Sequence, residues 1–357
     1  MTGRWLVVLL AAAALIVSPL ALQARPASEP QVPVRELTEH IQASRDVAWS
    51  GFVESSGTLQ VPDTDSFANL AQLLGEQNRL RVWWRSADDW RVDRIRSTGE
   101  TDLFRSGQTM TRWVFESETA TVTPVSTVRL PDASDLLPPT LGRSLLQGAQ
   151  DDELSPLPAR KVAGVDAAGL RLVPQESATS VRQVDLWADP GTGLVLQVEL
   201  YGMDDRRPTV TAALLAFDPS TPEPASTEFD PPSSTTVNYE DSVDVAAEAN
   251  AFAPFDLPVS LAGLPTRSGE DPGAVGIYGR GPTTLIAIPL RGRVAWPLRE
   301  RLRDSATARE TDMGTLAPVG TVGLLITSNE GGRSFLLAGT VTGATLERAA
   351  GELLEVR

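Results

Sequence analysis

The chain has 357 residues, 41% hydrophobic and 22% charged, with a formal net charge of −15. That length accommodates more than one hydrophobic core, and the acidic balance excludes a nucleic-acid partner, because phosphate binding needs a basic surface. Cysteine is absent, which excludes disulfides, thiolate metal sites, a cysteine nucleophile and a lipidated N-terminal cysteine.

The charge is unevenly spread. Residues 26–245 hold 18 basic and 34 acidic side chains, whereas residues 246–357 hold 11 and 12. Lys161 stands alone among arginines, as a high-GC coding bias produces.

At the N-terminus Arg4 precedes an unbroken apolar run over 5–17, followed by Ser18, Pro19 and the small residues Ala21 and Ala24. This is the pattern of a secretory signal peptide or uncleaved membrane anchor over 1–25, so the protein is expected to be exported and extracytoplasmic, secreted or held at the cytoplasmic membrane. Leu22 stands where a small residue favours cleavage, which leaves cleavage open.

A Pro-containing spacer over 27–33 leads into a short helix over 34–46, with Leu37 and Ile41 at helical spacing. A long strand is predicted over 47–61, then a helix over 65–75 with Asp or Ser capping and Gly75 as its stop. Over 79–86 Leu80, Val82 and Trp84 alternate with Arg79, Arg81 and Arg85, and Trp83 points with the arginines. Further short strands are predicted over 90–97, 100–105, 109–116 and 119–125, separated by turns. Residues 132–150 read as helical, interrupted at Pro138 and Pro139, and a strand follows over 170–174.

The most informative stretch is 180–200, SVRQVDLWADPGTGLVLQVEL. Val184 and Leu186 face one way, with Gln183, Asp185 and Trp187 opposite; Leu194, Leu196, Val198 and Leu200 face one way, with Gln197 and Glu199 opposite. With Asp189-Pro190-Gly191-Thr192-Gly193 as the turn, this is a β-hairpin with one wet and one dry face. One more strand covers 209–217; 219–236, rich in Pro, Ser, Thr and acid, has the composition of a linker, while Phe229-Asp230-Pro231-Pro232 suggests a chain end packed against the sheet.

These elements define a mainly β, α+β protein: a strongly curved antiparallel half-barrel closed by helices over 34–237, an acidic linker and helix over 238–252, and a small α+β domain over 253–357. In the last, strands are predicted over 276–278, 284–289, 321–327 and 333–340, and helices over 294–304 and 343–354, with Gly331-Gly332 as a hairpin turn.

Catalytic constellations are lacking. His40 is the only histidine and sits near Glu36 and Glu39, without the nucleophile and orienting acid that a triad needs. Asp63-Thr64-Asp65 and Asp204-Asp205 are the nearest candidates for a hard cation, but Asp is common in turns for its backbone hydrogen bonds. Glu100 and Asp102 share a strand face and form the best local carboxylate pair; solvated edge charges explain them more simply. The glycine-rich run 276–281 leads into a strand rather than a helix N-terminus, so it is a turn and not a phosphate loop. No catalytic residue, metal or cofactor is expected, and the chain is read as a non-enzyme.

What remains is aromatic and apolar. A strongly bent sheet is not filled by its own side chains, so a concave apolar face is predicted from Leu80, Val82, Trp84, Trp90, Val92, Trp113, Phe115, Val184, Leu186, Leu196 and Val198. The helices over 65–75 and 132–150 are placed as plug or lid. An acyl chain gains roughly 0.8 kcal/mol per buried CH₂ in such a site.

The segments VAWSGFVES, RLRVWWRSADDWRVDRI, LLPPTLGRSLL and PARKVAGVDAAGLRLVP, with the W-x-D-P-x-T-G-L pattern at Trp187 to Leu194, resemble the LolA-like lipoprotein-carrier superfamily. The nearest branch is that of the sigma-E regulatory protein RseB (MucB/RseB-like), with the arginine-rich look of actinobacterial relatives. The resemblance covers about 34–237, and the C-terminal unit resembles the second domain of that branch more loosely. It implies a half-barrel that binds acyl chains of lipids or lipoproteins, and a second domain that grips a membrane partner such as an anti-sigma factor. The expected function is a non-catalytic lipid- or lipoprotein-binding carrier or envelope-stress sensor. The alternative is a regulatory protein-interaction module that binds a membrane partner (an anti-sigma factor or transporter) without lipid.

Overall fold

Turn chemistry and alternation dominate this chain, and its structure, a computed structural model, is correspondingly rich in strands. It describes residues 27–28, 30, 32–58, 73, 75–125, 129, 131–240, 257–267, 275–290, 292–328 and 334–355. The expected N-terminal apolar run, most of the helix over 65–75, the acidic linker beyond Glu240 and the Gly331-Gly332 turn lie outside these residues. Among the described residues no helix is long and apolar enough to cross a membrane.

Helix α1 (Val34–Ala43) leads into β1 (Trp49–Gly57), β2 (Gln77–Ser86), β3 (Asp89–Arg96), β4 (Gly99–Ser106), β5 (Thr109–Val114) and β6 (Thr119–Pro124). After α2 (Pro138–Leu146) come β7 (Leu154–Val162), β8 (Val165–Leu172), β9 (Val181–Ala188), β10 (Val195–Gly202), β11 (Val210–Asp218) and β12 (Thr236–Tyr239). These twelve strands form one sheet in the order β12-β6-β5-β4-β3-β2-β1-β11-β10-β9-β8-β7. Two meanders are thus joined where β1 pairs with β11, and the sheet is curved but not closed into a barrel. All pairings are antiparallel except β12 on β6, so β12 straddles the expected boundary at 237/238.

Three local expectations are corrected. Pro138 and Pro139 begin α2 rather than interrupt a longer helix, because a proline at the first helical position lacks only an N–H that has no intrahelical partner. Strand β7 has no counterpart in the sequence reading; despite Pro156 and Pro158 it forms, because it is an edge strand, where proline's missing N–H costs no ladder bond. The 180–200 hairpin is present, but a β-bulge between Val195 and Gln197 breaks its alternation, and on its polar face Gln183, Gln197 and Glu199 are half-buried while Asp185 and Trp187 are buried. Val184, Leu186, Val195 and Val198 pack with α1 and α2, while Trp187, Leu194 and Leu196 join a separate tryptophan-lined cluster.

The hairpin loop is seated on α1. Gly193 adopts φ 73°, and a Cβ there would collide with the His40 carbonyl oxygen. The His40 ring approaches the Pro190 carbonyl at 3.3 Å, so the lone histidine is a packing contact between helix and hairpin. Helix α2 approaches β10 as closely: a Cβ on Gly142 would lie 2.7 Å from a Val195 methyl.

The C-terminal part contains a two-stranded ribbon, β13 (Ser260–Leu261) and β14 (Leu264–Pro265), and a six-stranded antiparallel sheet. Its strands are β15 (Gly276–Arg280), β16 (Thr283–Leu290), β17 (Arg309–Thr311), β18 (Gly314–Val319), β19 (Val322–Thr327) and β20 (Ser334–Gly339), ordered β15-β16-β20-β19-β18-β17. Helix α3 (Gly292–Arg303) covers one face through Leu302 on Ala317 and Ile326, and α4 (Gly343–Glu355) covers the other through Leu346, Ala349, Ala350 and Leu353. The expected hairpin of β19 and β20 is present; β17 and β18 were not predicted.

The two sheets are joined tightly. Just before β9, Ser180 donates to the Thr340 and Thr321 carbonyls at 3.1 and 2.5 Å, and Thr342 donates to the Ala178 carbonyl at 2.8 Å. At the end of β15, Arg280 binds Glu153 at 2.6 Å, Glu176 at 2.5 Å and the Gly148 carbonyl at 2.7 Å.

Candidate functional site: the inner face of the large sheet

Residues directly opposed on antiparallel strands put their side chains on one face. Trp49, Trp84 and Trp90 oppose one another across β1–β3, as do Val53 with Leu80 and Val82 with Val92. A second row runs Asn78, Ser55, Ala212, Val198, Leu186, Leu170 across six strands. The inner face is therefore continuous from β3 to β8. Trp84 and Trp90 stack with centroids 5.6 Å apart and planes 2° from parallel, and the Trp84 indole N–H donates to the Arg45 carbonyl at 3.2 Å.

Eight of the eleven residues expected on this face lie on it: Leu80, Val82, Trp84, Trp90, Val92, Val184, Leu186 and Val198. Leu196 is buried at the β10 bulge beside the tryptophan cluster. Trp113 and Phe115 are elsewhere. Register pairs Trp113 with Asp102 on the outer face, and Phe115 stands edge-on to Trp113 in a 3-10 turn, 58% exposed. The alternation of TRWVF fits either parity, and the pairing of β5 places Val114 and Arg112 inward instead.

The inner face is closed. Leu80, Val92, Val184, Leu186 and Val198 are 0% exposed and Trp84 only 6%. Helices α1 and α2 cover one part with Leu37, Ile41, Leu145 and Leu146. Ala133, Leu136, Leu137 and Leu73 cover the tryptophan part, the first two from a single 3-10 turn.

Polar groups on this face were not anticipated. Arg94 opposes Leu80, is 7% exposed, and its Nε and one Nη have no hydrogen-bond partner. Ser55 Oγ and Asn78 Oδ1, at 2% and 1% exposure, are also without partners. A signal existed: Arg94 falls in phase with Trp90 and Val92 in the run DWRVDRIR.

The outer face carries a buried charge cluster. Asp93 and Asp102 oppose each other, and Arg91 bridges them at 2.6 and 2.9 Å. Burial pushes the Asp102 carboxyl up to about 7, helped by the Asp93 charge, and burial raises Asp93 too. Glu100 offers an oxygen within 4.8 Å of both. The Arg91 guanidinium already occupies the cation position here, so the arrangement fits a shared proton better than a metal ion. Phe229 packs on Phe104 at 5.1 Å, and the Arg91 guanidinium lies over the Phe104 ring at 5.0 Å. Asp204 and Asp205 gather no third carboxylate among the described residues, and Asp63 and Asp65 lie outside them.

No protein-family model matches the chain, and no curated protein is a significant match. Among solved structures it is similar to MucB in the Pseudomonas aeruginosa MucA/MucB complex, with 14% identity, a TM-score of 0.48, and coverage of 89% of this chain and 96% of that one. An uncharacterized conserved protein from Thermus thermophilus shows 10% identity and a TM-score of 0.36, covering 58% of this chain and 98% of its own. A LolA superfamily protein from Nitrosomonas europaea shows 15% identity and a TM-score of 0.23, with coverage of 52% and 92%.

Proposed function

We propose that this protein is an exported, non-catalytic binder of acyl chains of a lipid or lipoprotein, held on the inner face of the large sheet and serving a carrier or envelope-stress role. The observation that carries this reading is the continuous apolar inner face, with stacked Trp84 and Trp90, covered by short helical pieces rather than by a second sheet. Lifting a 3-10 turn and the end of α2 exposes that face while the sheet ladders stay intact, and each acyl CH₂ then buried contributes roughly 0.8 kcal/mol. The described conformation is the closed one. Titration with a dansylated C11 fatty acid tests the reading: energy transfer from Trp84 and Trp90 should saturate at one equivalent and be lost in Trp84→Glu.

A second reading is a regulatory module that binds a membrane partner, such as an anti-sigma factor, without lipid. It is favoured by one specific observation, that the inner face is filled by the chain's own side chains. Under it the dansyl probe stays dark with wild-type protein and the partner engages the C-terminal sheet.

A further inference from the structure

A buried cation without a partner is costly, so its persistence calls for an explanation. Arg94 sits on the inner face of β3, diagonal to Asn78 on β2 and one strand beyond Leu80. It is 7% exposed and makes no ion pair among the described residues; burial lowers its pKa, the Arg96 charge adds to the effect, and the exposed Glu76 opposes it. Ser55 Oγ and Asn78 Oδ1, directly opposed on β1 and β2, are buried and unpartnered beside it. Three adjacent strands therefore bring a guanidinium, a hydroxyl and an amide oxygen to one end of the apolar face, all with unused hydrogen-bonding capacity. Diagonal neighbours across strands lie roughly 7–8 Å apart at Cα, within the reach of an arginine.

We propose that Arg94, with Ser55 and Asn78, is an anion-binding subsite that holds the phosphate or carboxylate head of the ligand whose acyl chain lies along the Trp84–Trp90 face. Arg94 supplies a forked pair of charge-assisted donors and Ser55 a third donor, while Asn78 Oδ1 accepts from a hydroxyl on the head group. The subsite rests on the acyl-binding reading and specifies it: the ligand is an anionic amphiphile, oriented with its head toward β3 and its chain toward β8.

The test is isothermal calorimetry on the full chain with four probes: dodecyl phosphate, dodecanoate and neutral dodecyl maltoside, each below its micellar concentration, and inorganic phosphate. The subsite predicts that an anionic probe binds roughly ten- to hundredfold tighter than the maltoside, and that Arg94→Met erases this difference while maltoside binding is unchanged. Arg94→Met should also melt higher than wild type, because an uncompensated buried charge is replaced by an isosteric apolar chain; a purely structural arginine gives the opposite shift. Whichever of dodecyl phosphate or dodecanoate binds tighter identifies the source of the anion. Wild-type affinities for all probes in a folded Arg94→Met, or equal affinity for charged and neutral heads, overturn the subsite and leave acyl binding standing. Arg94-dependent binding of inorganic phosphate without any dodecyl probe keeps the anion site and removes the acyl reading. Silence from all four overturns both.

Discussion

Asp93 on β3 and Asp102 on β4 face each other directly, both essentially buried, and a single guanidinium, that of Arg91, bridges the two carboxylates. One arginine does not neutralise two buried carboxylates, and Arg81 adds only a 4.0 Å contact to Asp93. The pair retains a proton into the neutral range, with the Asp102 carboxyl pushed up to about 7.

A pH dependence follows from that pair. In the unfolded chain the aspartates release their protons near pH 4, so between about 4 and 7 the folded state binds the extra proton. The stability from this proton is complete below that window and is lost as pH rises through about 7. Urea unfolding should therefore show stability falling between pH 5 and pH 8, and Asp102→Asn should flatten the slope and exceed wild type at the alkaline end. A slope unchanged by the substitution refutes the shared proton.

Arg280 holds the end of the α2 region to the C-terminal sheet through Glu153, Glu176 and the Gly148 carbonyl. The Glu153 side chain is 1% exposed and also accepts from the Gln150 and Gln175 amides. Arg280→Ala strands that carboxylate and should cost about 2–3 kcal/mol, discounted because Arg280 is one-third exposed. Hydrogen exchange should quicken in α2 and in Gln175 while β2–β4 stay protected.

The inner and outer aromatics should behave oppositely. Trp84→Ala leaves a cavity beside Trp90 and Trp49 and should cost about 3–5 kcal/mol. Phe115→Ala, at an exposed turn, should stay within about 0.5 kcal/mol of wild type. Equal effects in thermal melts contradict the register that puts Phe115 outside.

Gly193→Ala should destabilise by about 2 kcal/mol, because both its positive φ and the His40 carbonyl oppose a Cβ. His40→Ala, which removes only a 3.3 Å contact to Pro190, should cost about 1 kcal/mol or less. Chemical denaturation separates the two.

Sequence alternation made most of the sheet legible. The strands from Arg79 to Val125 and the 180–200 hairpin were located because turn residues bracket apolar–polar alternation there. Local pattern does not reveal pairing, and that is where expectations failed. Trp113 and Phe115 were assigned to the wrong face because hydrophobicity outweighed parity. Leu196 left its expected row because a bulge is invisible in LVLQVEL. Strand β7 carries Pro156 and Pro158, which a strand accepts at an edge, and edge position is a property of the whole sheet. Arg94 was in phase with Trp90 and Val92 all along, yet a charged residue in an apolar row reads as an interruption until its burial is known.

The central claim is that the inner face holds an acyl ligand, and mass spectrometry of organic extracts tests it most directly. The full chain is purified under mild conditions from its native host and extracted. A stoichiometric acyl lipid or lipopeptide with an anionic head is expected, diminished in Trp84→Glu. Extracts free of acyl species from folded wild-type protein contradict it and turn the account to a membrane partner of the C-terminal sheet.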